Sequence, residues 1–153
     1  RGKEHAMPLT YSESGETFYL PENLYLIGTM NTADRSLAMV DYALRRRFAF
    51  LELEPEFGAI FEAYLSQKGI PEMLVKTLIR NIQAVNQRIV DDPNLGKGFR
   101  IGHSYFCANM VGNDIPPEQW FRDIVELEIA PQLREYWFDN QEKAEDAIAI
   151  LRY

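Results

Sequence analysis

The hydrophobic pattern changes period at Pro55, and that change limits what the chain can fold into. Before it, apolar residues come in short runs bounded by turn formers; after it, they recur at three- and four-residue spacing. Runs of the first kind predict strands and those of the second kind predict helices. The sequence therefore reads as the tail of an α/β domain over residues 1–55, followed by a helical domain over residues 56–153. Residues 7–11 and 17–20 flank the polar segment 12–16, which contains Gly15, and predict a hairpin. Residues 24–29 are nearly all apolar, as expected of a central strand covered on both faces. Residues 48–53 predict another strand, closed by Pro55, with a short helical piece over 40–46 between the two.

Beyond Pro55, Phe57, Ile60, Phe61, Tyr64 and Leu65 recur at helical spacing, and Gly69 stops that element. Pro71 opens a longer helix at a position where its missing N–H is harmless, and Leu74, Leu78, Ile82, Val85 and Ile89 form its apolar stripe. Residues 91–98 are rich in turn formers, and Pro116-Pro117 marks the next boundary. Further helical faces lie over 120–130 and 133–136, where Pro131 is expected to kink or restart the helix, and a terminal helix is expected over 140–153.

Composition narrows the function classes. With 46% hydrophobic residues the chain can bury a core, which argues against disorder. Cys107 is the sole cysteine, so an internal disulfide and a multi-cysteine zinc site are excluded. His5 and His103 are too few and too distant in sequence to suggest a histidine-rich metal site. No apolar run reaches membrane-spanning length and the opening residues are not a signal peptide, so a cytoplasmic protein without a membrane partner is expected. The polar start without an initiator methionine reads as a cut inside a longer protein. A net charge of −7 gives an overall field that repels nucleic acid.

Three segments hold residues suited to chemistry. The loop over 29–36 follows the expected strand 24–29, where open α/β sheets form ligand crevices. There Asn31 can orient a water against a terminal phosphate, and Asp34 can fix that water or a neighbouring arginine; equally, Asn31, Thr32, Asp34 and Ser36 can simply cap a turn and helix. Arg45, Arg46 and Arg47 cannot all point one way at helical spacing, so at least one faces outward. Such a guanidinium can reach a phosphate across a subunit boundary, or form salt bridges with Asp41, Glu52 or Glu54. In the third segment, Arg100 is a cation presented from a rigid base between Gly98 and Gly102, and His103 can help hold a phosphate or serve as a structural histidine. No GxxxxGK[ST] phosphate loop is present.

Three stretches carry a family resemblance: PENLYLIGTMNTADRSLAMVDYALRRRF (21–48), GKGFRIGHSYF (96–106) and IAPQLREYWF (129–138). The sequence resembles the AAA+ domain of the McrB family, the GTP-driven motor subunit of modified-cytosine-dependent restriction systems. The resemblance implies the C-terminal part of an AAA+ P-loop NTPase core followed by a helical lid. By matching position, Asn31 resembles the sensor-1 residue, Asp34 belongs to the signature that organises the hydrolytic water, and Arg35 supports that network. Arg46 and Arg47 resemble the arginines that reach the adjoining subunit's nucleotide. Arg100 resembles a lid-side, sensor-2-like residue, with His103 as a helper. The resemblance also implies GTP, with ATP as the alternative, and Mg²⁺ at the phosphates. Its implied partners are a homo-oligomeric, usually hexameric ring, a McrC-type nuclease subunit, and DNA bound through a domain outside this sequence. Since the phosphate loop and the Walker B acids would also lie outside it, this chain alone is expected to bind nucleotide poorly and not to turn over. Two other readings are an ATP-hydrolysing remodelling protein and a noncatalytic assembly module.

Overall fold

Helical spacing after Pro55 becomes helices, whereas before it, among the described residues, only the hairpin runs pair as strands. A computed structural model of the chain describes residues 1–11, 15–31, 43, 46–107 and 115–152. They fall into two compact units, Arg1–Asn31 and Thr32–Tyr153.

In the first unit a 3₁₀ turn, Lys3–His5, precedes two short antiparallel strands, β1 (Met7–Pro8) and β2 (Thr17–Phe18). Met7 lies opposite Phe18 and Pro8 opposite Thr17, and the Leu9 N–H extends the ladder by donating to the Glu16 carbonyl at 3.1 Å. The hairpin expected here is present, with positions 12–14 of its tip outside the described residues. Residues 24–29, expected as a covered strand, are neither strand nor covered: Ile27 is 95% exposed. In the second unit residues 48–53 also lack strand pairing, and Leu53 is 94% exposed. A strand persists only when a neighbour takes its N–H and C=O groups. Among the described residues, the sheet consists of β1 and β2 alone. Apart from Ala43 and Arg46, the helical piece expected over 40–46 lies outside the described residues.

The second unit is built on helices. Helix α1 (Ala59–Gln67) buries Phe61 and Leu65, with Phe57 just ahead of it on the same face. Ile60, assigned to that face by spacing, is 80% exposed, because one residue before Phe61 turns a side chain by about 100°. The helix ends as Gly69 takes φ 84°. There the Gly69 N–H donates to the Ser66 carbonyl and the Ile70 N–H to the Leu65 carbonyl, at 3.0 and 3.1 Å, while Ile70 buries in the core. Two otherwise orphaned carbonyls are thereby satisfied by a conformation that glycine adopts without steric strain.

Helix α2 (Glu72–Asp91) forms the axis of this unit. Val75, Leu78, Ile82, Val85 and Ile89 are fully buried; Val75 begins the stripe, and Leu74 packs only partly beside it. Burying each such side chain contributes about 1.5–3 kcal/mol. Helix α3 (Pro117–Ile124) begins with Pro116 and Pro117, where no backbone donor is required. It continues through a π turn, Val125–Ile129, into helix α4 (Ala130–Tyr136). Pro131 was expected to kink or restart this helix. The wider turn instead accommodates it, with the Ala130 N–H donating five residues back to Val125, because a proline cannot donate to the carbonyl four residues before it. Helix α5 (Gln141–Leu151) is capped by the Asn140 side chain, which accepts from the Lys143 N–H at 3.0 Å. Its Ala144, Ala147, Ile148 and Leu151 are buried, and it packs on α2 and α4.

Asp92 ties these helices together at the end of α2. Its buried carboxylate accepts from Trp137 Nε1 at 2.7 Å and the Asn94 N–H at 2.7 Å, and pairs with Lys143. The Lys143 ammonium, helped by Trp137 and the Asn94 N–H and opposed by burial, lowers the carboxyl pKa from 3.8 to about 2. The folded state thus favours the charged form: its contribution is complete above pH 3.8 and is lost as pH falls through about 2. Asp92→Asn should lower unfolding free energy at pH 7 by about 2 kcal/mol in urea titration, with the difference from the parent chain shrinking in strong acid.

Candidate functional site

A polar side chain on the buried face of α2 organises the segment that carries Arg100. Gly96, at φ 93°, turns the chain after α2 and donates its N–H to the Ile89 carbonyl at 3.2 Å. A 3₁₀ turn, Lys97–Phe99, then leads into extended backbone at Arg100. Asn86 closes a two-point bond on the next peptide groups: its Nδ2 donates to the Ile101 carbonyl at 2.9 Å, and its Oδ1 accepts from the Ile101 N–H at 2.6 Å. Both residues are buried, so an apolar side chain at position 86 would leave two peptide groups without partners.

From this anchored backbone Arg100 turns back along its own turn. Its Nε donates to the Lys97 carbonyl at 2.9 Å, and its Nη2 lies 3.3 Å from Glu54 Oε1 and 3.9 Å from Glu52 Oε1. The side chain is only 17% exposed, whereas both glutamates are largely exposed. The arginine is thus the fixed partner and the carboxylates the adjustable ones. A guanidinium that faces two carboxylates has the geometry and charge to donate to phosphate oxygens instead.

His103 opens the next 3₁₀ turn, His103–Phe106. Its Nδ1 accepts from the Glu56 N–H at 3.0 Å, which assigns the proton of the neutral ring to Nε2. The ring stands edge-on to Phe57 and Phe61, with centroids 6.3 and 6.1 Å away. Glu56 turns its own carboxylate back to accept from the Gly58 N–H at 2.7 Å. The segment 100–103 is therefore tied to α2 through Ile101 and to the approach of α1 through Arg100 and His103. Between them lies a cleft of about 560 Å³, lined by Glu56, Gln83, Asn86, Gln87, Lys97 and Arg100 among others.

Arg100 and His103 are thus brought together on one short segment. Arg46 and Arg47 occupy an exposed turn in the same unit. Two of the carboxylates considered as salt-bridge partners for the arginine run, Glu52 and Glu54, lie against Arg100. Asn31 is exposed and ends the first unit. Asp34, Arg35 and Arg45 lie outside the described residues. Sequence reasoning missed Asn86, Glu52 and Glu54 as partners of this segment. Asn86 left one trace, an amide beside Val85 on the apolar stripe of α2; the two glutamates, some fifty residues earlier in the chain, left none.

Residues 77–145 match the family model described as McrB, alpha-helical lid domain. The chain is 51% identical over 146 residues to the Type IV methyl-directed restriction enzyme EcoKMcrB subunit of Escherichia coli (strain K12). That alignment covers 94% of this chain and 32% of the relative, so the chain spans about a third of the relative's length.

Replacing His103 with Phe retains an aromatic edge against Phe57 and Phe61 but removes the acceptor for the Glu56 N–H. The hydrogen bond is open to water, so His103→Phe should lower unfolding free energy by about 0.5–1.5 kcal/mol in urea titration. A loss several times larger would show that the ring's fit, rather than the bond, holds this segment.

Proposed function

Because this chain belongs to the McrB family, we propose that it supplies the helical lid, residues 56–153, and the adjoining C-terminal part of an AAA+ core, residues 1–55, of a nucleotide-hydrolysing subunit. The whole subunit hydrolyses GTP and drives a modified-cytosine-dependent restriction system in the cytoplasm. It works as a homo-oligomeric ring, a hexamer, with a McrC-type nuclease subunit, and reads DNA through a domain outside this sequence. The observation that carries this reading is Arg100: a cation nearly enclosed, anchored to the longest helix among the described residues and facing a cleft, with exposed carboxylates as its ion-pair partners there.

In this reading Arg100 reports the terminal phosphate from the lid side, exchanging Glu52 and Glu54 for phosphate oxygens, while His103 keeps the segment seated on Glu56. Movement of the lid is then coupled to nucleotide, because the same short segment binds α2 and the approach of α1. Asn31 and Asp34 position the attacking water, and Arg35 supports them. Arg46 and Arg47, exposed on their turn, reach a neighbouring subunit's nucleotide and stabilise charge that develops during phosphoryl transfer. The residues present do not fit a magnesium site: among the described residues, no group of three or more His, Cys, Asp or Glu is placed to hold a metal ion. A phosphate loop is likewise absent from the sequence, so magnesium and the phosphate cradle belong to other parts of the subunit.

The test uses the complete parent protein with its nuclease subunit. Partner-stimulated turnover of GTP with little of ATP is the expected result. Preference for ATP would move the assignment to a remodelling AAA+ protein, and no turnover of either by folded protein would leave an assembly role. Arg46→Ala or Arg47→Ala should reduce GTP turnover by about 10³-fold or more while nucleotide affinity changes little. Equal loss of affinity and turnover would instead assign these arginines to nucleotide binding within their own subunit, or to folding.

A further inference from the structure

Asn86 lies on the buried side of α2 and also lines the cleft, a position that joins the core to the site. A primary amide offers one donor and one acceptor side by side, as a peptide edge does. Asn86 uses both on Ile101, at 2.9 and 2.6 Å, and so fixes the peptide planes on either side of the Ile101 Cα. One of those planes is shared with Arg100. The Arg100 side chain therefore leaves a backbone that cannot rotate freely, and its Nε contact to the Lys97 carbonyl closes the remaining freedom near the ring of the turn.

We infer that Asn86 is a positioning residue for Arg100: it holds the backbone that presents the guanidinium at the cleft, so that a phosphate oxygen of a bound nucleoside triphosphate can replace the glutamates beside it without moving that backbone. This deepens the proposed function and rests on it, since it assigns Asn86 a part in turnover only through Arg100. Aspartate at position 86 could accept from the Ile101 N–H but could not donate to the carbonyl, and it would add a charge to the cleft that Arg100 also lines. Leucine could do neither. A purely structural asparagine would require the same bonds, so stability alone does not separate the two roles; dependence on Arg100 does.

The experiment is a double-mutant cycle in the complete parent protein with its nuclease subunit. Steady-state GTP turnover is measured across nucleotide concentration for the parent, Arg100→Ala, Asn86→Asp and the double variant, with thermal melting of each. Arg100→Ala should reduce kcat by about tenfold or more. Asn86→Asp should reduce it by about three- to tenfold, through misplacement of the guanidinium, with a smaller change in KM. Combined with Arg100→Ala, it should add nothing further. Losses that multiply in the double variant would overturn the inference, as would unchanged turnover in Asn86→Asp beside a clear loss in Arg100→Ala; in both cases the proposed role of Arg100 survives. Unchanged turnover in Arg100→Ala would overturn that role and the inference with it. If Asn86→Asp melts below the assay temperature, Asn86→Gln takes its place, carrying both amide groups on a longer arm, with the same expected and overturning results.

Discussion

Burial of the α2 stripe is the constraint from which the helical unit follows. Val75, Leu78, Ile82, Val85 and Ile89 are removed from water on one side of a helix twenty residues long, and α1 and α5 pack along it. Its length matters as much as its apolarity. The helix reaches from the Pro71 turn to Asp92, so one rigid rod bears the core, the Asn86 clamp and the Asp92 junction. Asn86 meets a peptide, Asp92 meets an indole and an ammonium, and these buried groups gain partners that offset their desolvation.

The helices were legible because their information is local. Four-residue spacing, Gly69 as a stop and Pro116-Pro117 as a boundary each act within a turn or two of the chain, and each does so here. Ile60 and Leu74 show the limit of such reading: spacing gives a period, and the phase belongs to tertiary contacts. The hairpin was read correctly, but two further strands were misread for a related reason. Residues 24–29 and 48–53 have the composition of covered strands, but pairing is supplied by neighbours, and composition cannot say whether the chain contains them. The site was half legible. Arg100 and His103 stood out between glycines and aromatics, but the contacts that seat them span 15 to 48 residues of sequence and follow no periodic rule.

The acidic balance of the chain looks different with those contacts in view. Glu52, Glu54 and Glu56 precede the helical unit on one short stretch, and all three meet the 100–103 segment: two by charge, one through its backbone. The negative residues there accompany an arginine whose own position is set by an uncharged amide. Orientation and charge compensation are thus divided between different parts of the chain, so the carboxylates can exchange their place beside Arg100 without releasing the backbone that presents it.

The π turn in the rod from Pro117 to Tyr136 does more than accommodate a proline. In a regular helix, residues four apart drift by about 40° per step, so a face that begins at Phe121 and Val125 would turn away from the core within a few turns. One widened turn returns the phase, and Ile129, Leu133 and Trp137 stay buried with Phe121 and Val125. The two halves of the rod are consequently set against each other like the bits of a key. Gaining or losing one residue between them would rotate the far half by about 100° and carry the Trp137 indole away from Asp92. The spacing between Phe121 and Trp137 is therefore a fixed length in this fold.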